Sequence, residues 1–403
     1  MPDRTDPNRW RAPVTEANAP AGTDPGPTVV LAPDSFKGTA TGAQAAEWIA
    51  AGFTGVCPDA EIVLVPMADG GEGTASCFSG EVCTLPTVTA AGRLTEASYV
   101  FDATGGGTGV PQAYIDVAAA SGLPAVADTP VPGTGDTFGT GVLIADAVSR
   151  GAVHIVLGLG GSATVDGGTG ILIALGAQPL DASGRALPQG GEHLAELADI
   201  DTAQLNVRAA AVEWTLLADV TAPVTGPEGA AAVFGPQKGA DAELIGRLDA
   251  GLHHFCDFAG IDPGTPGYGA AGGVPVGLHW LSSAVTGGEP RVRLRPGART
   301  VADAVGLPGF AADADLVVTG EGRVDGQSFT GKVVGTVLDI AGRTGTPAAV
   351  VAGAIRTDLP EGVIGIELGP RDGVEDPHRT ETRLREAGRQ LAERYLATRT
   401  DQG

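Results

Sequence analysis

Glycine-rich segments that also carry carboxylate or lysine side chains are the part of this sequence best suited to chemistry. Two of them come after short apolar runs: Asp34-Ser35-Phe36-Lys37 follows TVVLAP, and Asp69-Gly70-Gly71-Glu72-Gly73-Thr74 comes shortly after EIVLVP. Glycine lets the backbone approach a ligand closely, and consecutive exposed N–H groups bind anions. Mg²⁺ is bound by one or two carboxylates together with phosphate oxygens and water. The arrangement therefore indicates a site for phosphate and metal.

Two longer loops have the same composition. Gly158–Gly168 follows a predicted strand and opens a predicted helix, whose N-terminal N–H groups favour phosphate. Because Ala163 stands where a third glycine would be needed, this loop is not the dinucleotide fingerprint GxGxxG. Gly320–Lys332 ends in the GxxxxGK spacing of a P-loop, but Val333 lacks the hydroxyl that would bind Mg²⁺. We interpret both loops as anion-binding loops outside those two motif classes.

The lysines point to the same loops. Lys37, Lys238 and Lys332 are the only lysines among 25 basic residues, and each lies in a short glycine-containing segment. A compact ammonium group reaches into a cluster of phosphates better than the planar guanidinium of arginine. The alternative, that all three are ordinary surface lysines, becomes weaker when the three are taken together.

Charge and composition exclude several classes of function. The formal net charge is −23, which repels nucleic acid and anionic membranes. Apolar residues make up 43% of the chain, enough for a large core, and no run approaches the roughly 18 residues of a spanning helix. The first 27 residues are polar and proline-rich, unlike a signal peptide. The four cysteines form no metal-ligand motif, so we expect reduced thiols and a cytoplasmic protein.

The order of predicted elements indicates a parallel sheet at both ends of the chain. Strands and helices alternate there, which is the βα pattern, and ligands of such sheets bind at the carboxyl ends of the strands. The middle of the chain is less regular. The predicted strands are 28–33, 61–66, 113–117, 154–158, 214–220, 291–295, 315–319, 348–352 and 363–368. The predicted helices are 39–53, 138–149, 168–175, 241–258, 298–305, 333–343 and 381–398.

Taken in order, the motifs APDSFKG, PMADGGEGT, FGTGVLI, GLGGSATVDGG, AVFGPQKGA and TGEGRVDGQSFTGK resemble the bacterial glycerate kinase family over about Val29–Ala352. The resemblance implies an α/β fold: a Rossmann/flavodoxin-like parallel-sheet domain built from both chain ends, with a second α/β domain inserted. On this basis we predict a disordered tail over 1–27, a discontinuous domain over 28–88 and 291–400, and an inserted domain over 89–290. The resemblance also implies a kinase that uses ATP and Mg²⁺ and phosphorylates D-glycerate, giving 2-phosphoglycerate in preference to 3-phosphoglycerate.

Roles for single residues follow as hypotheses. Asp166, with Asp34 as second choice, orients the acceptor hydroxyl, Lys37 contacts phosphate, and Arg323 pairs with the carboxylate of the acid. We expect Asp166→Asn to lower kcat by orders of magnitude with the fold kept. The predicted metal ligands are Asp69, Asp325 and Glu321. The predicted nucleotide-binding residues are Ser35, Gly70, Gly71, Gly73, Thr74, Gly160, Gly161, Ser162, Lys238 and Lys332.

Three alternatives stay open at this point. The chain could phosphorylate a related small hydroxy acid, since it departs from the family pattern at Ala222-Pro223-Val224, where the family often has Asn-Pro-Leu, and at Asp116, where glutamate is frequent. It could be a nicotinamide-dependent oxidoreductase on a Rossmann-like sheet, or a non-catalytic sensor of small acids. The expected partners are glycerate and ATP, without nucleic acid or membrane, and a homodimer is left open.

Overall fold

The structure is a computed structural model that describes residues 26–36, 38–287, 289–369 and 376–400. Lys37 and most of the predicted tail, residues 1–25, lie outside the described residues. The strands are β1 Thr28–Leu31, β2 Glu61–Leu64, β3 Glu81–Val88, β4 Leu94–Asp102, β5 Gln112–Asp116, β6 His154–Gly158, β7 Gln178–Asp181, β8 Leu197–Asp201, β9 Glu213–Leu217, β10 Val292–Arg295, β11 Leu316–Glu321, β12 Ala348–Ala352 and β13 Ile364–Glu367.

The helices are α1 Gly42–Thr54, α2 Val117–Ser121, α3 Phe138–Ser149, α4 Thr169–Ala174, α5 Val207–Ala210, α6 Ala230–Phe234, α7 Ala242–Ala259, α8 Val274–Thr286, α9 Gly297–Ala304, α10 Leu307–Ala312, α11 Val333–Thr344 and α12 Pro377–Thr400. Among the described residues, no helix combines the length and apolar character that a membrane crossing requires.

The chain divides into two compact units. We call Gly70–Gly297 the middle unit, and the two flanking segments, up to Asp69 and from Ala298, the terminal unit. The predicted boundaries at residues 88/89 and 290/291 therefore differ from the observed division. The reason is strand pairing: β3 pairs with β4 and β10 pairs with β9, so both belong to the sheet of the middle unit.

The terminal unit contains a five-stranded sheet in the order β13-β12-β11-β1-β2, with all neighbours parallel. Counted along the chain of this unit, the order is 2-1-3-4-5, which is the flavodoxin-like arrangement. On one face α1 and α12 pack so closely that only a glycine fits at position 52. A Cβ there would lie 1.8 Å from the carbonyl oxygen of Arg385. Ile49, Phe53, Leu384 and Leu391 fill the core beneath them.

The middle unit contains a six-stranded mixed sheet in the order β10-β9-β6-β5-β4-β3. Strands β5, β6, β9 and β10 are parallel, whereas β4 and β3 extend one edge as an antiparallel pair. Trp214 on β9 and Phe255 on α7 are buried in its core. Pro86 is tolerated in β3 because this strand lies at the sheet edge, where a missing N–H need not break a ladder.

Candidate functional site

The central feature of the terminal unit is the boundary between β1 and β11, where the direction of strand connection reverses. From β1 the chain continues to β2 on one side, and from β11 to β12 on the other. Open α/β sheets bind ligands at this switch point, outside the carboxyl ends of the strands. Asp34 and Ser35 come after β1, and the Asp34 amide donates to the carbonyl of Gly320 on β11 at 2.9 Å. The loops after β1 and β11 therefore start side by side.

Glu321, the last residue of β11, has an unusual carboxylate. Its Oε1 atom is buried and has no hydrogen-bond partner. Burial raises the pKa of Glu321, and the nearby charges of Asp69 and Asp325 raise it further, whereas a hydrogen bond from Ser328 and the Lys332 ammonium oppose the shift. Three acidic side chains and one lysine therefore act on one another at this end of the sheet. An unfilled carboxylate oxygen among acids suits a bound cation.

The donor set fits Mg²⁺ in a particular way. Within the part of the chain that the structure describes, no group of three or more His, Cys, Asp or Glu side chains is arranged as a complete metal site. Mg²⁺ does not need one, because it commonly keeps several waters and takes only one or two carboxylates plus substrate phosphates. Glu321, with its unpartnered oxygen, and Asp69 and Asp325, which act on it electrostatically, match that requirement.

The loop after β11 is held by its own side chains and by the segment after β12, since the Val324 amide donates to the Ala354 carbonyl at 2.9 Å. Asp325 Oδ1 accepts from the Gln327 amide at 3.0 Å, and Ser328 Oγ accepts from the Asp325 amide at 3.0 Å, which caps a short turn over Gly326–Phe329. Arg323 Nε lies 3.5 Å from Asp325 Oδ2, and the Arg323 side chain is mostly exposed. The loop thus presents a guanidinium group that lies largely in solvent beside Asp325.

Lys332 stands at the N-terminus of α11. It is the N-cap residue, and its side chain makes no capping hydrogen bond. Gly331 before it has φ +87°, a left-handed conformation that glycine adopts without strain. The positive end of this 12-residue helix and the Lys332 ammonium together favour an anion at the same place.

In the middle unit, the loop Gly70–Ala75 lies on the carboxyl ends of the strands. The Gly160 amide donates to the Gly70 carbonyl at 2.8 Å, and a Cβ on Gly160 would lie 2.6 Å from Cα of Gly71. Asp116, at the end of β5, accepts from the amides of Gly73 at 2.9 Å and Ala75 at 3.0 Å. The Gly73 amide therefore makes its hydrogen bond within the middle unit. The Thr74 Oγ1 atom is buried without a hydrogen-bond partner.

Lys238 and Asp166 lie inside the middle unit. Lys238 is 4% exposed, and its ammonium donates to Ser162 Oγ at 3.0 Å and to the Thr164 carbonyl at 2.6 Å. Burial lowers the pKa of Lys238 to about 7, although the charge of Asp166 acts in the opposite direction. Through these two bonds Lys238 holds the loop between Gly158 and Gly168 in place.

Asp166 is completely buried, and four hydrogen bonds end on its carboxylate. Oδ2 accepts from Thr137 N at 2.9 Å, Thr137 Oγ1 at 2.7 Å and Gly170 N at 3.0 Å, and Oδ1 accepts from Gly168 N at 3.2 Å. A carboxylate so occupied holds the start of α4 against the start of α3. Its direct contact with an acceptor hydroxyl stays a prediction to which this geometry gives no support.

Comparison with known proteins agrees with these observations. The model of the Glycerate kinase family matches residues 29–394. The chain belongs to the glycerate kinase family. It is 40% identical over 341 residues to "Glycerate kinase" of Haemophilus influenzae, covering 82% of this chain and 86% of that one. It is 41% identical over 340 residues to "Glycerate kinase" of Bacillus subtilis, with the same two coverages.

A solved structure shows the same fold. The crystal structure titled putative glycerate kinase 2 from Salmonella typhimurium has a TM-score of 0.75 and 36% sequence identity, and the match covers 93% of this chain and 100% of that chain. The predicted fold class, a mixed α/β protein with a parallel-sheet core, is thereby confirmed.

For this member of the glycerate kinase family, the structure groups the predicted site residues by unit. The terminal unit holds Asp34, Ser35, Asp69, Glu321, Arg323, Asp325 and Lys332. The middle unit holds Gly70, Gly71, Gly73, Thr74, Gly160, Gly161, Ser162, Asp166 and Lys238. Lys37 lies outside the described residues. The ligand contacts assigned to all of these residues stay predictions.

Sequence reasoning assigned no structural or catalytic role to two buried acids, Asp116 and Asp136. Asp116 holds the loop Gly70–Ala75, and its place near the end of the predicted strand 113–117 was the available signal. Asp136 is 4% exposed, and its Oδ2 has no hydrogen-bond partner. Burial, followed by the nearby charge of Asp166, raises the pKa of Asp136 to about 6. No sequence motif distinguished Asp136 from an ordinary loop aspartate.

Proposed function

We propose that this protein transfers the γ-phosphoryl group of ATP to a hydroxyl of D-glycerate, forming 2-phosphoglycerate and ADP. The observation that carries the proposal is the buried, unpartnered carboxylate oxygen of Glu321 at the switch point of a flavodoxin-like sheet. The family and the names of the relatives supply the substrate class.

The roles in the terminal unit follow from charge and position. Asp69, Glu321 and Asp325 would hold Mg²⁺, which when bound neutralises charge on the phosphate oxygens. Lys332 and the N-terminus of α11 bind phosphate oxygens, since they provide an ammonium and helix N–H groups. Arg323 pairs with the carboxylate of the acid in the bidentate manner that guanidinium permits.

We propose Asp34, the second choice from sequence, as the residue that orients the acceptor hydroxyl. It follows β1 at the switch point, whereas the carboxylate of Asp166 is buried and occupied by four donors. The Asp34 carboxylate accepts the hydroxyl proton as the hydroxyl oxygen bonds to the γ-phosphorus. The bond from that phosphorus to the β,γ-bridging oxygen breaks, and ADP leaves with the electron pair.

The direct test is an ADP-release assay with Mg²⁺ over D-glycerate, L-glycerate and related small hydroxy acids. Phosphorus NMR of the product separates 2-phosphoglycerate from 3-phosphoglycerate. We expect turnover that depends on D-glycerate. Turnover with another hydroxy acid alone would reassign the substrate, an NADH absorbance change would favour the oxidoreductase, and ligand binding without ADP release would favour a sensor.

Glu321→Gln tests the observation on which the proposal depends. We expect kcat to fall about 100-fold or more, because one carboxylate of a site that stabilises transferred charge is neutralised. Glu47→Gln, at an exposed position on α1, is the matched control and should leave kcat unchanged. Equal activities of the two variants would contradict the assignment. Function in the cytoplasm, and assembly as a homodimer, stay predictions from sequence.

A further inference from the structure

The carboxylate of Asp116 connects two parts of the middle unit that are far apart in sequence. Its Oδ2 accepts from the Gly73 amide at 2.9 Å and its Oδ1 from the Ala75 amide at 3.0 Å, across 43 and 41 residues. Asp116 also precedes α2, but its side chain makes no capping bond to that helix. Both oxygens therefore serve the loop Gly70–Ala75.

Holding a carboxylate in this place is costly. Asp116 is 6% exposed, and burial raises its pKa to about 7 against the effect of the loop N–H groups, with the charge of Glu72 adding to the increase. A buried acid whose pKa is raised in this way lowers stability at neutral pH. Stability alone therefore does not explain the residue, whereas a requirement for one loop conformation does.

Glycines around the carboxylate leave the space that this contact needs. A Cβ on Gly158 would lie 2.9 Å from Asp116 Oδ1. Gly70 has φ +89°, and a Cβ there would lie 2.8 Å from the carbonyl oxygen of Leu217. The Gly160 amide binds the Gly70 carbonyl at 2.8 Å. The loop is thus held at its start by the Gly160 amide, close to the end of β9, and at Gly73 and Ala75 by Asp116.

We infer that Asp116 is a positioning residue, which holds Gly70–Ala75 in the single conformation that phosphoryl transfer by this protein requires. The inference rests on the proposed kinase function for its kinetic consequence, but not for its structural one. The loop carries Glu72 and comes directly after Asp69 along the chain. A shift of this backbone therefore acts directly on Asp69, the predicted metal ligand that precedes the loop.

The middle unit offers a close control in Asp102. This residue is also 6% exposed and also holds a glycine-rich loop, since its carboxylate accepts from Thr104 N at 2.8 Å and Gly106 N at 2.6 Å. Asp102 pairs with Gln112 at the start of β5, whereas Asp116 is the last residue of that strand. Each acid therefore holds a loop by accepting backbone hydrogen bonds, Asp102 beside the start of β5 and Asp116 at its end.

The experiment compares Asp116→Asn, Asp116→Glu and Asp102→Asn in the full chain. Asparagine presents an NH₂ group to one of the two amides and so loses one acceptor, whereas glutamate keeps both. In Asp116→Asn we expect amide hydrogen exchange in the Gly70–Ala75 peptide to accelerate about tenfold, and kcat to fall roughly 10- to 100-fold. Asp116→Glu should recover part of both losses. Asp102→Asn should accelerate exchange only in its own loop and leave kcat within about twofold of the parent.

Two results would overturn the inference. One is unchanged exchange in Gly70–Ala75 of Asp116→Asn, and the other is equal loss of kcat in Asp116→Asn and Asp102→Asn. Should Asp116→Asn fail to fold, the same two measurements on Asp116→Glu decide, because a slightly displaced carboxylate must still alter exchange in the loop. If the parent protein does not phosphorylate any hydroxy acid, the proposed function fails separately, and the exchange data alone accept or reject the role of Asp116 in holding the loop.

Discussion

Glu321, the last residue of β11 in the terminal unit, and Asp166, in the loop after β6 of the middle unit, both lie in glycine-rich segments, yet their carboxylates are used differently. One oxygen of Glu321 has no hydrogen-bond partner, although it is buried. The oxygens of Asp166 accept four hydrogen bonds from the backbone and side chain of its own unit. Segments of glycine and acid thus contain two kinds of carboxylate, one with an unpartnered oxygen and one that holds its own loop together.

The lysines differ in the same way. Lys238 in the middle unit is buried and donates to Ser162 and to the Thr164 carbonyl. Lys332 in the terminal unit is only partly buried, at the start of α11, and its side chain makes no cap. Asp166 and Lys238 thus hold loops of the middle unit in place, whereas Glu321 in the terminal unit keeps one buried carboxylate oxygen without a hydrogen-bond partner. The following variants test whether this difference is real.

The largest effect is expected from Asp166→Asn. An amide in place of the carboxylate turns an NH₂ group towards backbone donors and leaves the nearby Lys238 ammonium with less compensation, so we expect the free energy of unfolding to fall by about 3 kcal/mol or more. The sequence alone suggested a loss of kcat with the fold kept, and the four buried hydrogen bonds now predict a loss of stability as well. Urea unfolding measures it.

Glu321→Gln is the counterpart in the terminal unit. Removing a buried charge that lacks a partner on one oxygen should change the free energy of unfolding by less than about 1 kcal/mol, in either direction. If Glu321→Gln and Asp166→Asn were equally destabilising, the distinction between a carboxylate with an unpartnered oxygen and one that holds its own loop would be wrong.

A smaller effect, with a defined pH dependence, is expected from Lys238→Met. Burial lowers the pKa of Lys238 from 10.5 to about 7, so between these values the unfolded chain binds more protons than the folded one. The contribution of this residue to the free energy of unfolding therefore rises as the pH rises above 7. Lys238→Met should remove that rise while changing stability at pH 7 by less than about 2 kcal/mol, since lost hydrogen bonds and relief of a buried charge oppose each other.

The measurement is urea unfolding at pH 7 and pH 9 for the parent and the variant. Lys332→Met is the matched control, because this lysine is only partly buried in the other unit. We expect the control to keep the pH dependence of the parent. The same pH dependence in Lys238→Met and in the parent would show that the buried ammonium is not its source.

The contrast also explains how far sequence reasoning could reach. Local apolar patterns were sufficient for β6 and α3, whose observed bounds are those predicted. They were insufficient for β3 and β4, which form an antiparallel edge in a segment with Pro86, and for α8, which begins in a glycine- and proline-rich stretch. These elements depend on pairing and packing partners, which periodicity within a short window does not report.

At the site, the sequence could place acids and lysines at strand ends. It could not show which of their atoms already make hydrogen bonds within the protein. Two of the four hydrogen bonds to Asp166 come from a residue 29 positions earlier, and the acceptors that hold Lys238 lie 76 and 74 positions earlier. For the same reason, the sequence assigned no role to Asp116 or Asp136. Only tertiary structure separates a carboxylate that supports a loop from one that keeps an oxygen without a hydrogen-bond partner.

The smallest effect on stability, and the sharpest form of the comparison, is expected from Arg323→Ala. Arg323 is 70% exposed and lies 3.5 Å from Asp325, so its removal should change the free energy of unfolding by no more than about 0.5 kcal/mol. If it binds the carboxylate of the acid, KM for glycerate should nevertheless rise at least about tenfold, because a charge-assisted bond contributes about 1.5–3 kcal/mol. Arg343→Ala, which removes an exposed arginine 3.1 Å from Asp339, is the control. Both variants should have the same free energy of unfolding, and only Arg323→Ala should weaken the binding of glycerate. Equal KM values for the two variants would show that Arg323 is an ordinary surface charge.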